Sequence, residues 1–239
     1  MQKLSWSSSK AWRDRTAAVL MCLVLAGLVG ALPPPAPAAD AEAVAPEGLW
    51  DALFAETPPL VVDVRQAERF AKLRIPRSRN LREPDAIASL EREAGQPIIL
   101  VGDTEEQARR LAAQLKAFGA DAQVVRGGLR KWPLGLEISA EELRRRLDSE
   151  KPPQLVDVRT TAEYEACRIE GTLHRPLDEV EAWGPTLSRD AEIVLVCRTG
   201  RRSGLAQEWL ARHGFRHVHN LLGGTTAWPY GWIGEGCPQ

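Results

Sequence analysis

The chain is written twice. Leu60-Val61-Val62-Asp63-Val64-Arg65 returns as Leu155-Val156-Asp157-Val158-Arg159, with the two aspartates 94 residues apart. Pro97-Ile98-Ile99-Leu100-Val101 returns as Glu192-Ile193-Val194-Leu195-Val196, Phe118-Gly119 as His213-Gly214, and Gly127-Gly128 with Trp132 as Gly223-Gly224 with Trp228, at offsets of 95 to 96. A period of this size is a domain that can bury its own core, not a solenoid unit, which is shorter and needs several neighbours. The boundary is expected near Gly135, just before the capping pattern Ser139-Ala140-Glu141-Glu142, giving domains over 44–135 and 136–239.

Within each copy, short apolar runs alternate with helical patterns. LVVDV, PIILV and AQVV in the first copy, and QLVDV, EIVLV and RHVHN in the second, read as strands buried on both faces. Helices are expected from Glu105 to Phe118, after Asp103-Thr104, and from Ser203 to His213. Strand-helix alternation implies an α/β fold, each domain a mainly parallel sheet flanked by helices on both faces. In such sheets a ligand sits beyond the carboxyl ends of the strands.

Residues 1–38 stand outside the repeat. Lys3, Lys10, Arg13 and Arg15 precede an uncharged run from Thr16 to Leu32, and Ala36-Pro37-Ala38 follows, the pattern of a secretory signal peptide cleaved after Ala38. The run has 17 residues and ends in prolines, short of the roughly 20 that span a bilayer, so an uncleaved membrane anchor is the weaker alternative. A periplasmic or secreted protein is expected. The whole chain has 31 basic and 32 acidic side chains, and the leader removes four basic and one acidic, leaving 27 and 31. That balance gives neither nucleic acid nor an anionic membrane surface a reason to bind. Of the four cysteines, Cys22 lies in the leader and Cys167, Cys197 and Cys237 remain, an odd number that leaves at least one thiol free or paired with another molecule.

The second copy leaves its strand EIVLV through Cys197-Arg198-Thr199-Gly200-Arg201-Arg202-Ser203 and enters a helix at once. Successive N–H groups and the positive helix end then face the cysteine, three arginines add fixed charge, and Gly200 lets the loop curl. Such surroundings favour a thiolate and a nucleophilic role for Cys197. An isolated cysteine after a strand is more often a small buried apolar residue, but this loop makes a poor core and a good anion cradle. The first copy has Gly102-Asp103-Thr104-Glu105-Glu106-Gln107-Ala108 instead, with glycine in place of the nucleophile and acids in place of arginines, so it should be inert.

These features together resemble a tandem rhodanese-domain protein of the sulfurtransferase family. The resemblance is carried by Asp157 to Arg159, by Glu163-Tyr164-Glu165-Ala166-Cys167-Arg168-Ile169-Glu170-Gly171-Thr172, by the loop C-x-x-G-x-R-S, and by Gly223-Gly224 with Trp228. It implies that Cys197 accepts sulfur from thiosulfate or a related donor as a persulfide, which a thiol, cyanide or a protein acceptor removes. It further implies that the amides of Arg198 to Ser203 hold the persulfide, that Arg198, Arg201 and Arg202 attract the anionic donor, and that Asp157 and Arg159 buttress the loop. No cofactor is expected. The first copy is then a docking domain or a structural remnant that buries one face of the second.

Departures from the family pattern add expectations. Cys167 and Arg168 stand where the family usually has glycine and histidine, making Cys167 a candidate resolving thiol for Cys197, with an inert buried thiol as the alternative. Cys237, near the end of the chain, is expected to be exposed. His213, His217 and His219 have no carboxylate or thiolate at ligand spacing, so no metal is expected there. Two rival functions remain: an exported persulfide carrier or redox-partner module, and a cysteine-dependent phosphatase. The phosphatase relatives place the arginine six residues after the cysteine, whereas Arg202 is five after Cys197, a smaller cradle that suits sulfur.

Overall fold

The computed structural model describes residues 41–81, 98–117 and 122–237, so the expected leader at 1–38 lies outside the described residues. The first copy runs β1 (Ala43–Val44), α1 (Pro46–Leu53), β2 (Leu60–Asp63), α2 (Ala67–Lys72), β3 (Leu73–Arg74), β4 (Arg79–Asn80), β5 (Ile98–Val101), α3 (Glu105–Ala117) and β6 (Ala122–Val125). The second runs β7 (Glu137–Ile138), α4 (Ala140–Leu147), β8 (Gln154–Asp157), α5 (Thr161–Ala166), β9 (Arg168–Ile169), β10 (Leu173–His174), α6 (Val180–Trp183), β11 (Ile193–Val196), α7 (Arg201–Arg212), β12 (Val218–Leu221) and β13 (Trp232–Ile233).

One sheet has the order β1-β6-β5-β2-β4, parallel throughout. The other has the order β10-β8-β11-β12-β7-β3 and is parallel except at its edge, where β3 of the first copy runs antiparallel to β7, Leu73 opposite Ile138. After the second copy β13 pairs with β9 in the same antiparallel way, Trp232 opposite Ile169. The end of each copy thus folds back on the same place, and in the first copy that segment opens the next sheet.

Continuous apolarity in the strands has a simple cause. Ile193 and Leu195 pack in one buried cluster with Val218 and Leu210 of α7, while Val194 and Val196 pack in another. Period-2 alternation therefore feeds two cores rather than one core and solvent. The second of these clusters is shared between the copies, holding Val61, Ile99 and Val101 of the first with Leu155, Val194 and Leu221 of the second. Leu49, Trp50 and Leu53 of α1 lie at helical spacing in it, and Pro46 opens that helix without sacrificing a bond. The Trp50 indole N–H donates to the Phe215 carbonyl of the second copy at 3.3 Å.

Gly135, where the boundary is expected, makes a close contact with the second copy. Its N–H donates to Arg216 O at 2.8 Å, and a Cβ there would stand 2.0 Å from Val218 O. Ser139 caps α4 by accepting from the Glu142 N–H at 3.2 Å, but its own N–H donates to Lys72 O, so Glu142 turns to Arg145 and Arg146. The helix expected from Ser203 starts two residues earlier, at Arg201, because Gly200 takes a φ of +92° and closes the turn early.

Candidate active site

Cys197 follows β11 directly and is 1% exposed. Gly200, in the left-handed region, turns the chain back so that its N–H donates to Cys197 Sγ at 3.2 Å. The Ser203 hydroxyl lies 3.3 Å from the same sulfur. The loop's carbonyls are drawn off behind it: Thr225 N–H donates to Cys197 O at 2.8 Å and Thr226 N–H to Arg198 O at 3.1 Å. Gly224, also at positive φ, permits that approach, since a Cβ there would stand 2.1 Å from Cys197 O. With carbonyls behind and amides in front, the loop forms a concave nest around the sulfur.

Burial pushes the Cys197 thiol up, and the hydrogen bonds of the Ser203 hydroxyl and of the Ser203, Thr199 and Gly200 amides outweigh it, holding the thiol below the ordinary cysteine range. The Gly200 N–H and the Ser203 hydroxyl lie within hydrogen-bond distance of the sulfur, an arrangement that suits a thiolate. The six-residue segment expected to bind substrate thus gathers around one sulfur, with Arg198, Thr199 and Arg201 exposed at its rim.

Arg202 does something different from the expected capture of an anion. Its two Nη atoms donate to Glu163 Oε2 and Oε1 at 2.6 and 2.7 Å, a bidentate pair that joins α7 to α5. The guanidinium holds the Glu163 carboxyl down at about 2, burial opposing it and the Thr160 cap assisting. Arg198 and Arg201 are the exposed guanidinium groups of the loop. Thr160 and Glu163 form a capping box at the start of α5, and nothing in the sequence joins Glu163 to Arg202.

Asp157 and Arg159 are buried and bonded to each other, with Arg159 Nε and Nη2 at 3.0 and 2.6 Å from Asp157 Oδ2. Their expected support of the Cys197 loop is indirect, because Arg159 Nη2 donates to Cys167 O at 2.6 Å and braces the α5–β9 segment. The first copy repeats the device: Arg65 holds Asp63 and donates to Leu73 O at 2.7 Å. Cys167 itself is in a disulfide with Cys237, which overturns both the resolving role and the expected exposed terminal thiol. Its sulfur has no valence left for Cys197, the free cysteine among the described residues.

A model of the rhodanese-like domain matches the chain twice, at residues 45–133 and 139–229. The chain belongs to the rhodanese family. It is 38% identical over 92 residues to the Bacillus subtilis protein YrkF, named as a sulfur carrier, a match covering 38% of this chain and half of YrkF's length. A protein of Allochromatium vinosum named sulfurtransferase is 36% identical over 92 residues, covering 38% of this chain and 86% of its own. Among solved structures, a rhodanese-like domain protein of Staphylococcus aureus is 31% identical with a TM-score of 0.37, covering 42% of this chain and 93% of its own.

The first rhodanese-like domain keeps the frame of the site and has lost its interior. Leu129 N–H and Arg130 N–H donate to the Gly102 and Asp103 carbonyls at 2.9 and 3.1 Å, matching Thr225 and Thr226 in the second. Where the sulfur would stand, a Cβ on Gly102 would meet Thr104 O at 2.7 Å and the Gln107 Cβ at 2.9 Å. Asp103 occupies the mouth, ion-paired with Arg69 and with Arg65 Nη1 at 3.8 Å. Asn220, on β12, was missed by sequence reasoning: its Nδ2 donates to Gly200 O at 3.0 Å and its Oδ1 faces the Ser203 hydroxyl at 2.6 Å. A polar residue within a fully buried four-residue strand was the available sign.

Proposed function

We propose that the protein is a sulfurtransferase that carries sulfane sulfur on Cys197, with thiosulfate as donor. The observation behind this reading is the buried Cys197 sulfur, surrounded by amides that hold its thiol low. The thiolate attacks the outer sulfur of thiosulfate, a new Sγ–S bond forms, and the bond to the inner sulfur breaks with its electron pair leaving on sulfite. The amides of Thr199, Gly200 and Ser203 then face the loaded sulfur. An acceptor thiolate or cyanide attacks the outer sulfur of the persulfide and returns Cys197 to the thiolate. The names of YrkF and the Allochromatium protein agree with this chemistry, and a protein thiol is a fitting acceptor beside the exposed Arg198 and Arg201.

The first domain serves as scaffold in this reading, since it supplies α1 and β3 to the second and holds no thiol. Export to an oxidising compartment accords with the leader and with the Cys167–Cys237 disulfide. Steady-state kinetics with thiosulfate and cyanide test the reaction. Parallel double-reciprocal lines and no turnover in Cys197→Ala are expected, whereas intersecting lines or an active Cys197→Ala enzyme overturns the assignment.

A further inference from the structure

Ser203 has one hydroxyl proton and two acceptors. Its Oγ lies 2.6 Å from Asn220 Oδ1 and 3.3 Å from Cys197 Sγ, and a hydroxyl donates once at a time. The Asn220 amide cannot turn over to end the contest. Its Nδ2 donates to Gly200 O at 3.0 Å, and a flipped amide would set oxygen against that carbonyl. Asn220 is 4% exposed, so no bulk water stands ready to replace a lost donor.

We propose that Asn220 is a positioning residue that holds the Ser203 hydroxyl proton and thereby sets how readily Cys197 ionises. This rests on the reading of Cys197 as nucleophile. In the resting thiol, Cys197 S–H donates to Ser203 Oγ, and Ser203 O–H donates to Asn220 Oδ1. When the thiol proton leaves to solvent, the Ser203 hydroxyl turns to the thiolate and Asn220 Oδ1 loses its donor. Asn220 therefore works against the Gly200 amide, which donates to the same sulfur. After sulfur transfer Sγ no longer carries the charge, and the Ser203 proton returns to Asn220.

The other charged groups around the thiol are Arg202 of α7 with Glu163 of α5, the Asp157–Arg159 pair at the end of β8, and Arg198 and Arg201 on the rim. None of them hydrogen-bonds the Ser203 hydroxyl or the Asn220 side chain, so their influence is common to every variant compared.

The test is a pH titration of the ultraviolet thiolate absorbance of the full chain, with Cys197→Ala subtracted to isolate one sulfur. Asn220→Leu should move the midpoint down, raising the thiolate-to-thiol ratio at a fixed pH roughly tenfold, as the release of one competing hydrogen bond allows. In a Ser203→Ala background the same substitution should change that ratio less than about twofold, because there is no proton left to contest. A midpoint that rises in Asn220→Leu, or falls equally without Ser203, overturns the proposal. If the leucine variant does not fold, Asn220→Ala removes the same acceptor with a smaller side chain; its midpoint must fall too, again only while Ser203 is present, and one that stays or rises is equally fatal. Persulfide formation is scored separately on the unmutated protein. Shifted midpoints without persulfide overturn the nucleophile reading alone, and persulfide without shifted midpoints overturns the role of Asn220 alone.

Discussion

Replacing Cys237 by serine opens a covalent loop whose ends are 70 residues apart in the chain. The bond ties the C-terminal segment to the turn between α5 and β9, beside β13 paired on β9 and the Gly236 N–H donating to Ala166 O at 3.0 Å. Those contacts persist in the native serine variant, so the loss falls chiefly on the unfolded chain, which regains its freedom. Loop-closure entropy for a ring of this size gives about 4 kcal/mol at 25 °C. For a body of this length that corresponds to a fall in Tm of roughly 8–16 °C. The assay is thermal unfolding of Cys237→Ser beside oxidised unmutated protein, each with and without dithiothreitol. Reductant should bring the unmutated protein down to the serine variant and leave the variant unmoved. If reductant shifts neither, the two sulfurs are not joined in the protein and the account of this end of the chain is wrong.

Three further outcomes follow from the geometry. Glu163 is held at about 2, below its ordinary value near 4.5, so its pairing with Arg202 stabilises the fold above that ordinary value and is lost as pH falls toward 2. With both side chains about one-third exposed, solvent screening leaves roughly 1–2 kcal/mol, and urea denaturation across this acid range should show that loss in the unmutated protein and not in Glu163→Gln. Asp157→Asn strands the buried Arg159 charge and should cost about 3–5 kcal/mol in the same assay; a loss under about 1 kcal/mol contradicts the bracing role. Gly102→Cys places a thiol at the repeat offset, yet in a Cys197→Ala background it should gain no sulfur from thiosulfate by mass spectrometry, because Thr104 O and Gln107 fill the space around it.

The repeat and the loop were legible in the sequence for a physical reason: both are local. Continuous apolarity in LVVDV and EIVLV reports burial on two faces, and Cys197 to Ser203 builds its nest from consecutive residues. The interlocking of the copies was not legible, since Trp50 reaching Phe215 O and β3 joining β7 depend on how two similar bodies pack. The same limit hid the partners of known residues. Arg202 reads as an anion magnet until α5 brings Glu163 against it, and Cys167 reads as a neighbour of Cys197 until the chain end returns with Cys237. Asn220 sits beside His219 in a buried strand, and its being polar marks it as bonded inside the fold without naming Gly200 and Ser203 as its partners.

The central claim is that Cys197 becomes a persulfide. Mass spectrometry of the intact protein after exposure to thiosulfate, with Cys197→Ala alongside, tests it directly. A gain of one sulfur is expected in the unmutated protein, discharged by cyanide, and no gain in the variant. Unchanged mass in the unmutated protein, or an equal gain in Cys197→Ala, contradicts it.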